Sequence, residues 1–282
     1  MQKILVTGAT GQLGSEFKVL SSNYSQFEWV FADRKQVSLD NLKGLKNQLE
    51  TICPNFILNC GAYTAVDTAE TEKESANIVN HLAVGIIAQY AKENAVKLIH
   101  ISTDYVFDGT SAVALTEEAK TQPVNVYGAS KRAGELACLN ANPEAIIIRT
   151  SWVYSRFGNN FVKTMQRLLQ ERDSISVVND QIGSPTYAAD LAQAIMTIVT
   201  AQNWIPGIYN YSNEGEISWY EFVLAIKEIG GYTCKVNGIP SSGYPTLAKR
   251  PAYSLLDKTK IKRVYGVAIP DYKESLKKMF NV

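Results

Sequence analysis

The chain has 282 residues, of which 20% are charged and 46% hydrophobic, and its formal net charge is +1 at neutral pH. That length suits a large α/β domain with a smaller appended region, and the balance excludes a disordered chain and gives no electrostatic reason to expect nucleic acid. No apolar run approaches the ~20 residues that cross a bilayer, so no membrane is expected among its partners.

The four cysteines, Cys53, Cys60, Cys138 and Cys234, lack CxxC spacing, and His81 and His100 share no ligand pattern with them. Buried free thiols and no metal site are the expectation. Lys3 to Thr7 reads as a strand and not as the basic head of a signal peptide, so a reducing cytoplasm is the expected compartment.

In chain order, the apolar strand Ile4-Leu5-Val6 runs into Thr7-Gly8-Ala9-Thr10-Gly11-Gln12-Leu13-Gly14 and then an amphipathic segment from Phe17 to Leu20. Glycines at steps of three let the backbone turn tightly and approach a pyrophosphate, which amides at the helix N-terminus then hold. Gly8, Gly11, Gln12, Leu13 and Gly14 are therefore cofactor candidates. The second strand, Glu28 to Ala32, ends in Asp33-Arg34, where a dinucleotide fold meets the adenosine ribose. An acidic side chain there accepts from both ribose hydroxyls and favours NAD, whereas a following arginine can pair with the 2′-phosphate of NADP; NADPH and NADH both stay open. Asp40-Asn41 can contact the adenine or cap the helix starting near Leu42.

Pro54 to Asn59 forms a third strand and leads into Cys60-Gly61-Ala62-Tyr63. Small residues at this carboxyl end let a cofactor lie against the backbone, which makes Gly61, Ala62 and Tyr63 its wall. Glu70 to Asn94 reads as one long helix with the stripe Ile78, Leu82, Ile86, Ile87 and Tyr90 facing the core. Asn80 lies off that stripe, as either a solvated residue or a polar link to the site. A fourth strand, Val96 to Ile101, delivers Ser102-Thr103-Asp104-Tyr105 to the same sheet edge.

Of the 15 tyrosines, Tyr127 alone is followed four positions later by a lysine, Lys131. On a helix the two share a face, and an ammonium beside a phenol favours the phenolate and should lower its pKa. With the Thr103 hydroxyl they could protonate a carbonyl oxygen as hydride arrives at its carbon. A fifth strand, Ala145 to Arg149, completes a β-α-β-α order and so a doubly wound parallel sheet of Rossmann type. Residues 1–150 are expected to form the NAD(P)-binding domain, with 174–205 returning to it. Residues 151–173 and 206–282 are expected to form a smaller mixed α/β substrate region.

The segments Thr7 to Gly14, Ser102 to Gly109 and Tyr127 to Lys131, with Asn59 to Asp67, Arg149 to Tyr154, Gly158 to Phe161, Gly183 to Thr186 and Arg250 to Asp257, resemble the extended short-chain dehydrogenase/reductases. Within them the chain is most similar to the dTDP-4-dehydrorhamnose reductase family over nearly its whole length. The resemblance implies reduction of the C4 keto group of dTDP-4-dehydro-L-rhamnose by NADPH or NADH, in the pathway to dTDP-rhamnose and cell-surface polysaccharide. It implies Tyr127 as proton donor, Lys131 holding the nicotinamide ribose, and Thr103 completing the hydrogen bonding. Asp104, Tyr105, Trp152, Asn160 and Arg250 would bind the dTDP-sugar. Some relatives are dimers bridged by Mg²⁺ through carboxylates; Glu16 matches one such ligand but Ala189 stands where another would be, so no metal is expected, and both monomer and homodimer stay open. Two alternatives remain: another nucleotide-sugar reductase or epimerase of the superfamily, and a non-catalytic regulatory homologue.

Overall fold

The computed structural model describes residues 1–281. Its centre is a parallel sheet of six strands. Five arrive in succession: β1 (Gln2–Thr7), β2 (Phe27–Ala32), β3 (Phe56–Asn59), β4 (Lys97–Thr103) and β5 (Ile146–Thr150). Beyond them come β6 (Val153–Tyr154), β7 (Ser174–Val178), β8 (Ile182–Gly183), β9 (Thr186–Tyr187), β10 (Gly207–Tyr211), β11 (Ile217–Ser218) and β12 (Lys235–Ile239). The sheet order is β10-β5-β4-β3-β1-β2, so the chain reverses its direction of travel between β1 and β3. Ligands in open parallel sheets bind at the carboxyl edge beside such a reversal.

Helices cover both faces: α1 (Gln12–Leu20), α2 (Leu42–Ile52), α3 (Lys73–Asn77), α4 (Ala83–Glu93) and α5 (Val126–Ala141), followed by α6 (Phe161–Glu171) and α7 (Ala188–Val199). The chain ends with α8 (Trp219–Gly230), α9 (Thr259–Tyr265) and α10 (Tyr272–Phe280). Alternate side chains of each strand divide the core. Ile4, Val6, Leu58, Ile99 and Ile148 pack against α1 and α7, whereas Leu5, Ile57, Leu98 and Ile147 meet α2 and α4 on the other face. Both faces being covered explains why these strands read as continuous apolar runs. Among the described residues no helix is long and apolar enough to cross a membrane.

Three expectations need correction. Ser174–Val178 does not return to the main sheet but pairs with β12, while Gly207–Tyr211, assigned to the second region, is the sheet's sixth strand beside β5. Of the stretch 174–205 it is α7 that packs on the central core, and Ile261 of α9 joins it there. Sheet membership of so short a strand depends on remote partners that periodicity does not report. The helix expected over 70–94 is interrupted by a π turn at Ile78–Leu82. The extra residue in that turn rotates the faces, so Leu82 is exposed and Asn80 is buried, the reverse of the stripe's pattern. Finally, Cys53 is exposed at the end of α2, while Cys138 and Cys234 are buried; all four cysteines are free thiols.

A second core, with Tyr154, Val162, Leu169, Phe222, Val223, Ile226 and Leu276 at its centre, gathers α6, α8 and α10 beside the carboxyl edge. A cleft runs between it and the sheet.

Candidate active site

The cleft has a volume of about 900 Å³ and follows the ends of β1, β3, β4 and β5. Its floor is the glycine turn after β1. Gly8 adopts φ +63°, and a Cβ there would stand 2.7 Å from the backbone of Gly61, so only glycine lets the first and third strand ends approach this closely. The Gly61 amide donates to the Thr7 hydroxyl at 3.1 Å, which donates to the Asn59 side chain at 2.7 Å. At the start of α1, Gly11 is the N-cap and no side chain caps the helix, so the first-turn amides at Gln12 and Leu13 face the cleft unmatched by any acidic group of that turn. This is the arrangement that holds a pyrophosphate. Gly14 lies behind the turn, buried against Ala9, and shapes the site without lining it.

At the adenosine end, Arg34 and Asp40 line the cleft and form an ion pair, with the Ser38 hydroxyl donating to the same carboxylate. These bonds, first Ser38 and then Arg34, hold Asp40 below the usual carboxylate range. Asp33 instead turns back to accept from the Lys35 and Gln36 amides at 2.8 and 3.1 Å. Asn41 accepts from Gly44 as the N-cap of α2, the capping alternative of the two foreseen for it.

Ala62 and Tyr63 form the opposite wall. Buried Asn80 grips the Tyr63 backbone, accepting from its amide at 2.8 Å and donating to its carbonyl at 2.9 Å, and also donates to Ser130 of α5 at 3.0 Å. Of the two roles open to Asn80, the polar link is the one found. The Tyr63 phenol donates to Glu72 at 2.9 Å.

Tyr127 and Lys131 sit on the cleft face of α5, whose N-cap Asn125 accepts from the Gly128 amide at 2.7 Å. Tyr127 packs edge-on against Tyr105, with ring centres 5.6 Å apart. Burial pushes its phenol up to about 12, against an opposing effect of the Thr103 hydroxyl. The lowering expected from Lys131 is absent because the ammonium points elsewhere: it donates to the Ile101 carbonyl at 2.6 Å. Burial brings Lys131 down to about 8, opposed by the charge of Glu135. A phenol with a raised pKa is fully protonated at neutral pH, which is the form a proton donor needs.

Thr103 caps the short turn Asp104–Val106 and also donates to Asp104 Oδ1 at 3.0 Å. Burial raises the Asp104 carboxyl to about 6, partly offset by the Ser254 and Thr103 hydroxyls, and its Oδ2 is buried without a well-formed hydrogen bond. An acceptor so placed in a cleft suits a sugar hydroxyl. Trp152 closes the far end in a left-handed conformation, φ 46°, stacked on Trp219 at 3.6 Å between ring centres. Such a backbone is costly for a bulky residue and is kept only where surrounding packing enforces it.

Two expected substrate contacts do not line the cleft. Asn160 turns away to cap α6 and donate to the Ser155 carbonyl at 2.6 Å; Gly158 and Asn159 stand in its place. Arg250 is held at 2.6 and 3.1 Å by Asp67. Sequence reasoning missed Trp219, which comes from the second core, and Thr150 and Ser151, which arrive with β5. No local pattern marks Trp219, whereas the ends of β5 were predictable from the sheet-edge rule. Glu16 is buried, bonded to Ser155, and its carboxyl is raised chiefly by that burial. Among the described residues no group of three or more His, Cys, Asp and Glu side chains is gathered as a metal would need.

The chain matches the family model of the RmlD substrate binding domain over residues 1–282. It is 40% identical to a dTDP-4-dehydrorhamnose reductase of Aggregatibacter actinomycetemcomitans, with 98% of each chain covered. A second dTDP-4-dehydrorhamnose reductase, from Sinorhizobium fredii, is also 40% identical, over 98% of this chain and 96% of its own. Among solved structures, the Bacillus anthracis dTDP-4-dehydrorhamnose reductase in complex with NADP superimposes with a TM-score of 0.94 at 37% identity, covering 100% of this chain and 99% of its own.

Proposed function

The chain belongs to the dTDP-4-dehydrorhamnose reductase family, and from that membership we propose that it reduces the C4 keto group of dTDP-4-dehydro-L-rhamnose to give dTDP-L-rhamnose. The observation that carries this reading is the convergence of Tyr127, Lys131 and Thr103 on one cleft with the glycine turn of β1. When bound, NADPH or NADH supplies the hydride. The residues supply the rest: Gly8, Gly11 and the first amides of α1 hold the pyrophosphate, and Gly61, Ala62 and Tyr63 form the wall beside it. Lys131 orients the nicotinamide ribose. Tyr127 gives its phenolic proton to the C4 oxygen, with Thr103 bonding the same oxygen, so that negative charge does not accumulate there. Asp104, Tyr105 and Trp152 hold the sugar nucleotide.

The direct test is loss of nicotinamide absorbance on adding enzymatically generated dTDP-4-dehydro-L-rhamnose, with NADH and NADPH in parallel. Oxidation of either supports the reading. No oxidation, with cofactor binding demonstrated, would sink it in favour of another sugar nucleotide or a binding role. Because these substrates arise among soluble sugar nucleotides, the cytoplasm is the proposed compartment.

Two further outcomes are expected. Arg34→Ala should weaken NADPH more than NADH, since only the former carries a 2′-phosphate for the guanidinium to pair with. Dissociation constants from fluorescence titration decide it; equal losses would mean Arg34 does not read the phosphate. Asp104 protonates as pH falls through about 6 and so loses an acceptor, giving an acid limb in kcat/KM near that pH. Asp104→Asn should lower kcat/KM and abolish the limb, and a limb surviving in the variant would assign it to another group.

A further inference from the structure

Two consecutive residues at the end of β4 are each fastened to a different turn of α5, and the next, Thr103, lines the cleft with Tyr127. The Ile101 carbonyl accepts the Lys131 ammonium at 2.6 Å, and the Ser102 hydroxyl donates to Glu135 Oε1 at 2.7 Å. Tyr127, Lys131 and Glu135 follow at intervals of four and so share one helix face. Glu135 also reaches the next strand. Its two carboxylate oxygens accept from Arg149 Nε and Nη2 of β5, each at 2.8 Å, and Oε2 accepts also from Arg132 Nη1 of α5 at 3.3 Å, while Arg149 donates onward to the Glu117 carbonyl at 3.1 Å. The guanidinium lies over the Phe107 ring, 5.1 Å from its centre. Glu135 and Arg149 are both buried.

A buried ion pair of this kind adds little net stability, because the desolvation of both charges offsets their attraction. Its placement points to a different role. We propose that Glu135 is a positioning residue for hydride transfer at this site, holding the ends of β4 and β5, with Thr103 and Thr150, in register with Tyr127 and Lys131. This rests on the reductase reading given above.

Its charge acts on Lys131 as well. The groups facing that ammonium are Glu135 and Cys138 on the same helix, Cys60 after β3, and His100 of β4. Burial pushes both thiols up and His100 well down, so all three are neutral at neutral pH, and Glu135 supplies the formal negative charge among them. Removing it lets Lys131 lose its proton at lower pH.

Glu135→Gln retains the size of the side chain and an acceptor for Ser102 but removes the charge. kcat is expected to fall on the order of 10²-fold, as a displacement of about 1 Å can cause. The KM for NADPH should change less, and the alkaline limb of the kcat profile should move to lower pH. Because this variant strands Arg149 and risks unfolding, Glu135→Gln/Arg149→Gln, with neither charge, is measured beside it and should show both changes. Ser102→Ala cuts only the tie to β4 and should lower kcat without moving the limb. A folded double variant with unchanged kcat and an unmoved limb would overturn the proposal. So would equal losses of kcat and cofactor affinity with no pH shift, the signature of general loosening. The pH dependence of NADPH affinity, read by energy transfer from tryptophan without substrate, keeps the two readings separable. A shift caused by Glu135→Gln supports the positioning role even where the unmodified protein fails to reduce the sugar, and no shift overturns it.

Discussion

Tyr127→Phe should lower turnover by about 10²- to 10⁴-fold, the range typical of a lost general acid, while leaving the dissociation constant of NADPH nearly unchanged. The ring of phenylalanine fills the same space against Tyr105 and so preserves the edge-on contact. Only the hydroxyl goes. With the phenol at about 12, the wild-type residue is protonated across the neutral range, so the loss should be flat in pH there and not confined to one limb. Steady-state kinetics of the variant from pH 6 to pH 9 check this. Turnover within a few-fold of wild type would assign proton donation to another group, with Thr103 the first candidate by position.

Gly134→Ala should destabilise the protein although it lies inside α5, where alanine ordinarily gains about 0.5–1 kcal/mol over glycine. A Cβ at this position would stand 2.0 Å from the carbonyl oxygen of Asn80, and both nearest atoms belong to the backbone of the π turn. Backbone cannot yield as a flexible side-chain end does. Overpacking of this type costs about 1–3 kcal/mol or more, so the clash outweighs the propensity. The expected result is a Tm lower by several degrees, at about 2–4 °C per kcal/mol for a chain near this size. Function should suffer with it, since pushing α5 from the π turn loosens the grip of Asn80 on Tyr63 and Ser130. Weaker NADPH binding is the second readout. A Tm equal to or above wild type would show that the two helices separate at no cost.

Much of the site was legible because each part of it is announced locally. The glycine turn follows an apolar strand, the Tyr-Lys pair has helical spacing, and Thr103 ends a buried strand; the sheet edge then brings them together. What stayed hidden depends on contacts across the fold. Arg250 carries the charge expected of a phosphate ligand, but whether it faces a ligand or Asp67 is decided by residues 183 positions apart. Asn160 and Asn159 are equivalent by composition, and only the start of α6 selects which one caps the helix and which faces the cleft. The phenol's pKa was misjudged for a related reason. Sequence spacing puts Lys131 beside Tyr127, whereas the carbonyl that captures its ammonium belongs to β4.

The π turn at Ile78–Leu82 carries a consequence for how this chain can change over time. Substitutions alter one face of a helix; the gain or loss of a single residue here would swing everything before it by about 100°, the angle of one α-helical step. Val84, Ile87 and Ala91 would stay seated on the sheet, while Asn80 and the cleft-lining Ser75 would point elsewhere. Single-residue length variation in this stretch should therefore be purged from functional descendants even where nearly any side chain is tolerated at exposed Leu82. Saturation libraries that include deletions would reveal it as a narrow band of intolerance centred on residues 78–82.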